Sequence, residues 1–251
     1  MSASPRKLNH PPIVEAVIDI DCVLPRDQDI AALESPARAA FRDQYPKLRT
    51  VHLEEHVFEK QGDAEPEHSA RREIHAYQLM HEDERQIVQV RKDGFSFNRL
   101  APYMTLDDYL PEIRRTWQLF VGLASPVEIR AVKLRFINRI LLPIVDGRID
   151  LDRFFEKGPR LPDEEQLTFL GFLNQHVAVE RDTGNQVTII LATENLEDGL
   201  FPIILDIEAS RAASPDPGDW DSLLTIIQSL RDLKDRVFFN TLAEPCIGLF
   251  Q

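Results

Sequence analysis

The chain has 251 residues, 43% of them apolar and 28% charged, enough to bury a core and too apolar for a disordered segment. Its 29 basic residues face 42 acidic ones, a net charge of −13. That balance argues against sequence-independent nucleic-acid binding and against an anionic membrane surface, because both need clustered Lys and Arg. Two cysteines, Cys22 and Cys246, exclude a disulfide framework and an all-cysteine zinc site. The first residues lack the apolar stretch of a signal peptide, and the longest apolar runs are too short to span a bilayer. The expectation is an acidic cytoplasmic protein.

Pro11-Pro12 forces extended backbone, and Ile13 to Asp21 then alternates. Val14, Ala16, Ile18 and Ile20 fall on one face; Glu15, Val17, Asp19 and Asp21 fall on the other. Period two with β-branched residues predicts a half-buried strand, which Pro25 ends. Ile30 to Tyr45 carries Ile30, Leu33, Ala37, Ala40 and Phe41 at helical spacing, with Asp27 or Asp29 as N-cap. Pro36 inside this span either kinks the helix or restarts it with Ser35 as cap. Strands are expected over Leu48–Lys60 and Arg72–His81, joined by an unpatterned loop from Gln61 to Ala70. Gln86–Lys92 and Phe95–Phe97 form a hairpin about Asp93-Gly94. Thr105 and Asp108 resemble a capping box opening a helix to Leu123, with Leu106, Leu110, Ile113, Trp117, Phe120 and Val121 on one stripe.

Ser125-Pro126 breaks the chain, and the order of elements then recurs. A strand is expected over Glu128–Leu142, a short helix over Leu151–Phe155 capped by Asp150, and strands over Gln166–Glu180, Gln186–Glu194 and Phe201–Ser210. Asp219 caps a final helix, Trp220 to Leu242, with Leu223, Leu224, Ile227, Leu230, Leu233, Val237 and Phe238 inward. The fold class is therefore α+β: a curved antiparallel sheet with long helices on one face. Its two pattern-repeated halves, 1–125 and 126–251, form one continuous unit. By analogy of layers alone, the plan is that of TATA-binding-protein-like or helix-grip folds.

Three strings bear a resemblance: Leu8-Asn9-His10-Pro11-Pro12-Ile13-Val14-Glu15-Ala16-Val17-Ile18-Asp19-Ile20, Leu134-Arg135-Phe136-Ile137-Asn138-Arg139-Ile140, and Leu230-Arg231-Asp232-Leu233-Lys234-Asp235-Arg236-Val237-Phe238-Phe239. Together they resemble a sporadically distributed family of uncharacterised prokaryotic proteins of about this length. The resemblance implies no catalytic residues; the family's patchy distribution suits an accessory or defence-associated role.

Two constellations invite a chemical reading. His52, Glu54 and His56 share one face of a strand, and two imidazoles with a carboxylate can hold a first-row metal. Glu15 and Asp19 on the first strand, Arg135 and Arg139 on Glu128–Leu142, and Asp206 and Glu208 on Phe201–Ser210 make polar rows that pair as ions if the strands are neighbours. Asn138 falls among inward apolar positions, where it satisfies backbone groups. There is no Gly-x-Ser-x-Gly elbow and no Gly-rich phosphate loop, so no cofactor is expected. The apolar ending, Ile247 to Gln251, docks either on its own core or on a partner. The reading is a non-enzymatic binding or assembly module that contacts another protein or a second copy of itself, with no nucleic acid or membrane partner. The alternative is a metal-dependent hydrolase or nuclease built on the His52 row or on Asp206 and Glu208. An enzyme would gather these side chains in one cleft, and a binding module would spread them over a face.

Overall fold

A computed structural model describes residues 6, 8–59, 67–144, 149–156, 158, 170–195, 197 and 199–251. It is an α+β protein. The strands are β1 (Ile13–Val23), β2 (Lys47–Glu59), β3 (Glu67–Met80), β4 (Gln86–Arg91), β5 (Gly94–Leu100), β6 (Glu128–Pro143), β7 (Leu173–Val179), β8 (Gln186–Thr193) and β9 (Leu200–Ala212). The helices are α1 (Glu34–Phe41), α2 (Leu106–Ala124), α3 (Leu151–Phe154), α4 (Trp220–Thr241) and α5 (Glu244–Ile247). Among the described residues, all nine strands join one open antiparallel sheet in the order β2-β3-β4-β5-β1-β6-β9-β8-β7.

The alternation read in β1 sets the layers. Ala16, Ile18 and Ile20 stand opposite Phe136, Leu134 and Val132 of β6, and Ile18 and Ile20 stand opposite Phe97 and Phe95 of β5. These residues pack with Trp117 and Phe120 of α2 and with Leu223, Ile227 and Leu230 of α4 into one buried cluster. Burying each such side chain stabilises the fold by roughly 1.5–3 kcal/mol, so this layer dominates its energetics. The odd-numbered β1 residues from Glu15 to Asp21 point to the opposite, uncovered face.

Local chemistry accounts for the boundaries. Asp29 accepts a hydrogen bond from the Ala31 amide at 2.9 Å and caps a 3-10 turn over Ile30–Leu33; α1 follows directly, with Leu33 at its N-cap and no side-chain cap. Pro36 is thus accommodated by a restart, though Ser35 does not cap it. Thr105 and Asp108 form the expected capping box, and Asp150 and Asp219 cap α3 and α4. Gly94 has φ +148°, and a Cβ there would lie 2.1 Å from the Ile20 carbonyl oxygen, so only glycine allows β5 to run this close to β1.

Two strand boundaries need correction, and the alternatives for the C-terminal end are resolved. The strand β3 begins at Glu67, so Glu67 to Ala70 of the expected loop belong to the sheet; residues 60–66 lie outside the described residues. The strand β7 begins at Leu173 rather than Gln166; 166–169 lie outside the described residues. The C-terminal segment docks on its own chain: Cys246, Ile247 and Phe250 are buried, and the Phe250 carbonyl accepts a hydrogen bond from the His10 amide at 2.9 Å. None of the helices is long and apolar enough to cross a membrane, among the described residues.

Candidate functional site

Of the polar residues singled out in the sequence, the rows of β1, β6 and β9 come together on the uncovered sheet face. The register sets Val17 opposite Arg135, Arg135 opposite Glu208, and Asp19 opposite Lys133. Arg135 grips Asp206, its Nε donating to the two carboxylate oxygens at 2.9 and 3.0 Å, and Asp206 is only 6% exposed. Arg139 donates to Glu194 at 2.6 Å and also to Glu197. Arg91 bridges Asp19 (2.9 Å) and Asp21 (2.7 Å), and Lys133 reaches Asp21 at 2.7 Å. Asn98 donates to Glu15 at 2.7 Å, and Ser96 donates to Asp19. The hydrogen bonds that Arg135 donates to Asp206 raise its pKa above the ordinary value against the cost of burial. Apart from Glu194 and Glu197, these groups lie across five neighbouring strands, β4-β5-β1-β6-β9.

His52, Glu54 and His56 stand exposed on the edge strand β2, and Glu54 is paired with Arg72 at 3.5 Å. Among the described residues, no group of three His, Cys, Asp or Glu side chains is disposed to hold a metal ion. Asp206 is held by Arg135, and the register sets Glu208 opposite that same arginine.

A cavity of about 310 Å³ lies on the other side of the sheet, under the helices. Its floor is Phe136 and Asn138 of β6; its walls come from the N-terminal segment (Leu8, Pro12, Ile13), the start of α2, and α4. A register shift between Ile13 and Glu15 sets Ile13 opposite Asn138, which brings the strand's first residue to the inward side. Asn138 is 1% exposed and donates to the Leu205 carbonyl at 2.9 Å, the backbone role expected of it.

Lys234 is the unusual member of this cavity. It lies on the stripe of α4 with Leu223, Ile227, Leu230 and Phe238, 9% exposed. Its ammonium is 4.0 Å from the centre of the Phe136 ring and pairs with Asp235. Loss of water lowers its pKa below the ordinary lysine value, a shift that Asp235 opposes and Arg231 reinforces. Arg231 in turn donates to Asp107 at 2.7 Å. Burial also pushes the neighbouring Tyr103 phenol up. The sequence held one signal for this site: Lys234 falls at helical spacing within an otherwise apolar stripe, four residues after Leu230 and four before Phe238.

Burial likewise pushes the Cys22 and Cys246 thiols up to about 12, which leaves both as packed, unreactive groups. No protein-family model matches the chain, and no curated protein matches it as a relative.

Proposed function

We propose that this protein is a non-enzymatic binding module that assembles through its sheet, its partner being a second copy of the same chain. The observation that carries this reading is the edge strand β7. Its Leu173, Val177 and Val179 are 75, 58 and 62% exposed, and no charged side chain stands between residues 173 and 179. Among the described residues no strand pairs with its outer side, and such an edge offers N–H and C=O groups to an incoming strand. The opposite edge, β2, carries Lys47, Arg49, Glu54 and Glu55, the kind of charge that discourages pairing. Antiparallel pairing of two β7 strands centred on His176 sets Leu173 of one copy opposite Val179 of the other and joins the two sheets.

The polar rows support the same reading, because they spread over a face, whereas hydrolysis would need them convergent in a cleft. The strand order also favours a repeated plan of the TATA-binding-protein-like or helix-grip kind. In 1–125 the first strand pairs with the last, β1 with β5; in 126–251 β6 pairs with β9; and the halves meet at β1 and β6. The carboxylates of the open face suit a protein partner rather than nucleic acid or an anionic membrane. Two buried free thiols suit the reducing cytoplasm, and the resemblance to a sporadically distributed prokaryotic family suits an accessory role.

Sedimentation equilibrium tests the assembly. The unmodified chain is expected to run at twice the chain mass, Val177→Lys at the monomer mass, and Leu53→Lys on the β2 edge unchanged from the parent. A parent chain that stays monomeric, or a dimer indifferent to Val177→Lys, overturns the proposal.

A further inference from the structure

The cavity beneath α4 has no part in strand pairing at β7, and its chemistry points to a ligand of its own. Its lining holds three cations, each on a carboxylate of its own: Arg6 on Glu244, Arg231 on Asp107 and Lys234 on Asp235. Of the three, only Lys234 is buried. The rest of the lining is largely apolar and aromatic, with Phe136, Phe238 and Phe239 among it, beside the polar Asn138 and Thr105. An ammonium has three N–H donors. Asp235 accepts from Lys234, and the Phe136 ring faces the ion, but among the described residues no further oxygen completes its shell. A desolvated cation one acceptor short, at the head of an apolar chamber, is complementary to a monoanion with a hydrocarbon body. A phosphate, with its greater charge and stronger hydration, would find too few donors here.

We propose that this cavity binds a small apolar monocarboxylate, its hydrocarbon part against the three phenylalanines and its carboxylate on the Lys234 ammonium. Met104, 68% exposed, stands at the mouth and the ligand passes it. The volume, about 310 Å³, is at the lower end for small-molecule sites and sets the ligand's size.

Titration calorimetry on the full chain with octanoate, octanol and octylamine tests the assignment. Octanoate is expected to bind about tenfold or more tighter than octanol, the worth of one charge-assisted hydrogen bond. Octylamine should be the weakest of the three. Lys234→Met should abolish the preference for octanoate over octanol, and Met104→Trp should weaken both by filling the mouth. The comparison of the three probes on the unmodified chain stands without any variant. Equal affinity for acid and alcohol, preference for the amine, absence of binding, or a preference that survives in folded Lys234→Met overturns the proposal.

Discussion

Residues 19 and 20 are neighbours in the chain, yet they belong to two different economies of interaction. Ile20 is fully buried between Phe95 and Val132, in the layer sealed by α2 and α4. Asp19 stands between Ser96 and Lys133 on the uncovered face and is held by Arg91. One face removes apolar surface from water across its whole extent; the other exchanges hydration for ion pairs, side chain by side chain. The first mode yields kilocalories per residue and the second fractions of one. A sheet built this way draws most of its stability from one side.

The sharpest way to break that comparison is to put a charge on the sealed side. Leu230 is 0% exposed at the centre of α4. Leu230→Asp removes roughly 1.5–3 kcal/mol of transfer free energy and adds several more for a buried carboxylate. Domains of this kind have only about 5–15 kcal/mol to lose, so the variant is expected as insoluble protein. A soluble Leu230→Asp with native circular dichroism would show that α4 is not a main core layer.

A largely buried ion cluster on the open face should respond less. Arg91, with a side chain only 14% exposed, holds both Asp19 and Asp21. Arg91→Ala leaves two carboxylates without that partner and is expected to cost about 1–3 kcal/mol in urea melts, the penalty for stranding hydrogen-bonded groups. A cost as large as that of a core truncation would mean that the open face carries the fold as much as the sealed one does.

Periodicity made most of this architecture legible. The alternation in Ile13–Asp21 and in Glu128–Leu142 assigned both faces of the central strands, and the caps at Thr105, Asp150 and Asp219 placed three helix starts. The polar rows of β1, β6 and β9 could be foreseen as partners because period two leaves them no other face. Strand ends were harder to read: β3 runs into Glu67–Ala70, where hydrogen bonds to β2 rather than residue preference extend the ladder. The cavity was the least legible part. It needs four separated segments, Leu8–Ile13, the start of α2, Phe136–Asn138 and Arg231–Phe239, and pattern within one segment says nothing about convergence between segments. His52, Glu54 and His56 show the converse, since sharing a strand face placed three ligand types in a row without gathering them around a point.

The smallest expected effect lies at the rim of the open face, and it probes whether burial or ion pairing sets the scale there. Arg139 donates to Glu194 and Glu197 from a side chain 28% exposed, against 42 and 53% for its two partners. Both carboxylates can recover water when the arginine is lost, so no stranded group adds to the cost. Arg139→Ala should therefore lower stability by about 0.2–1 kcal/mol, the usual worth of an exposed pair, and the change should shrink further in molar salt as screening replaces the lost partner. Arg91→Ala should keep most of its cost in the same salt, because its carboxylates are 19 and 24% exposed and less open to screening. Urea melts of the two variants at low and high salt make the comparison directly. If the two losses were equal and equally salt-sensitive, depth within the open face would not matter, and its ion pairs would act as independent surface contacts rather than as a graded layer.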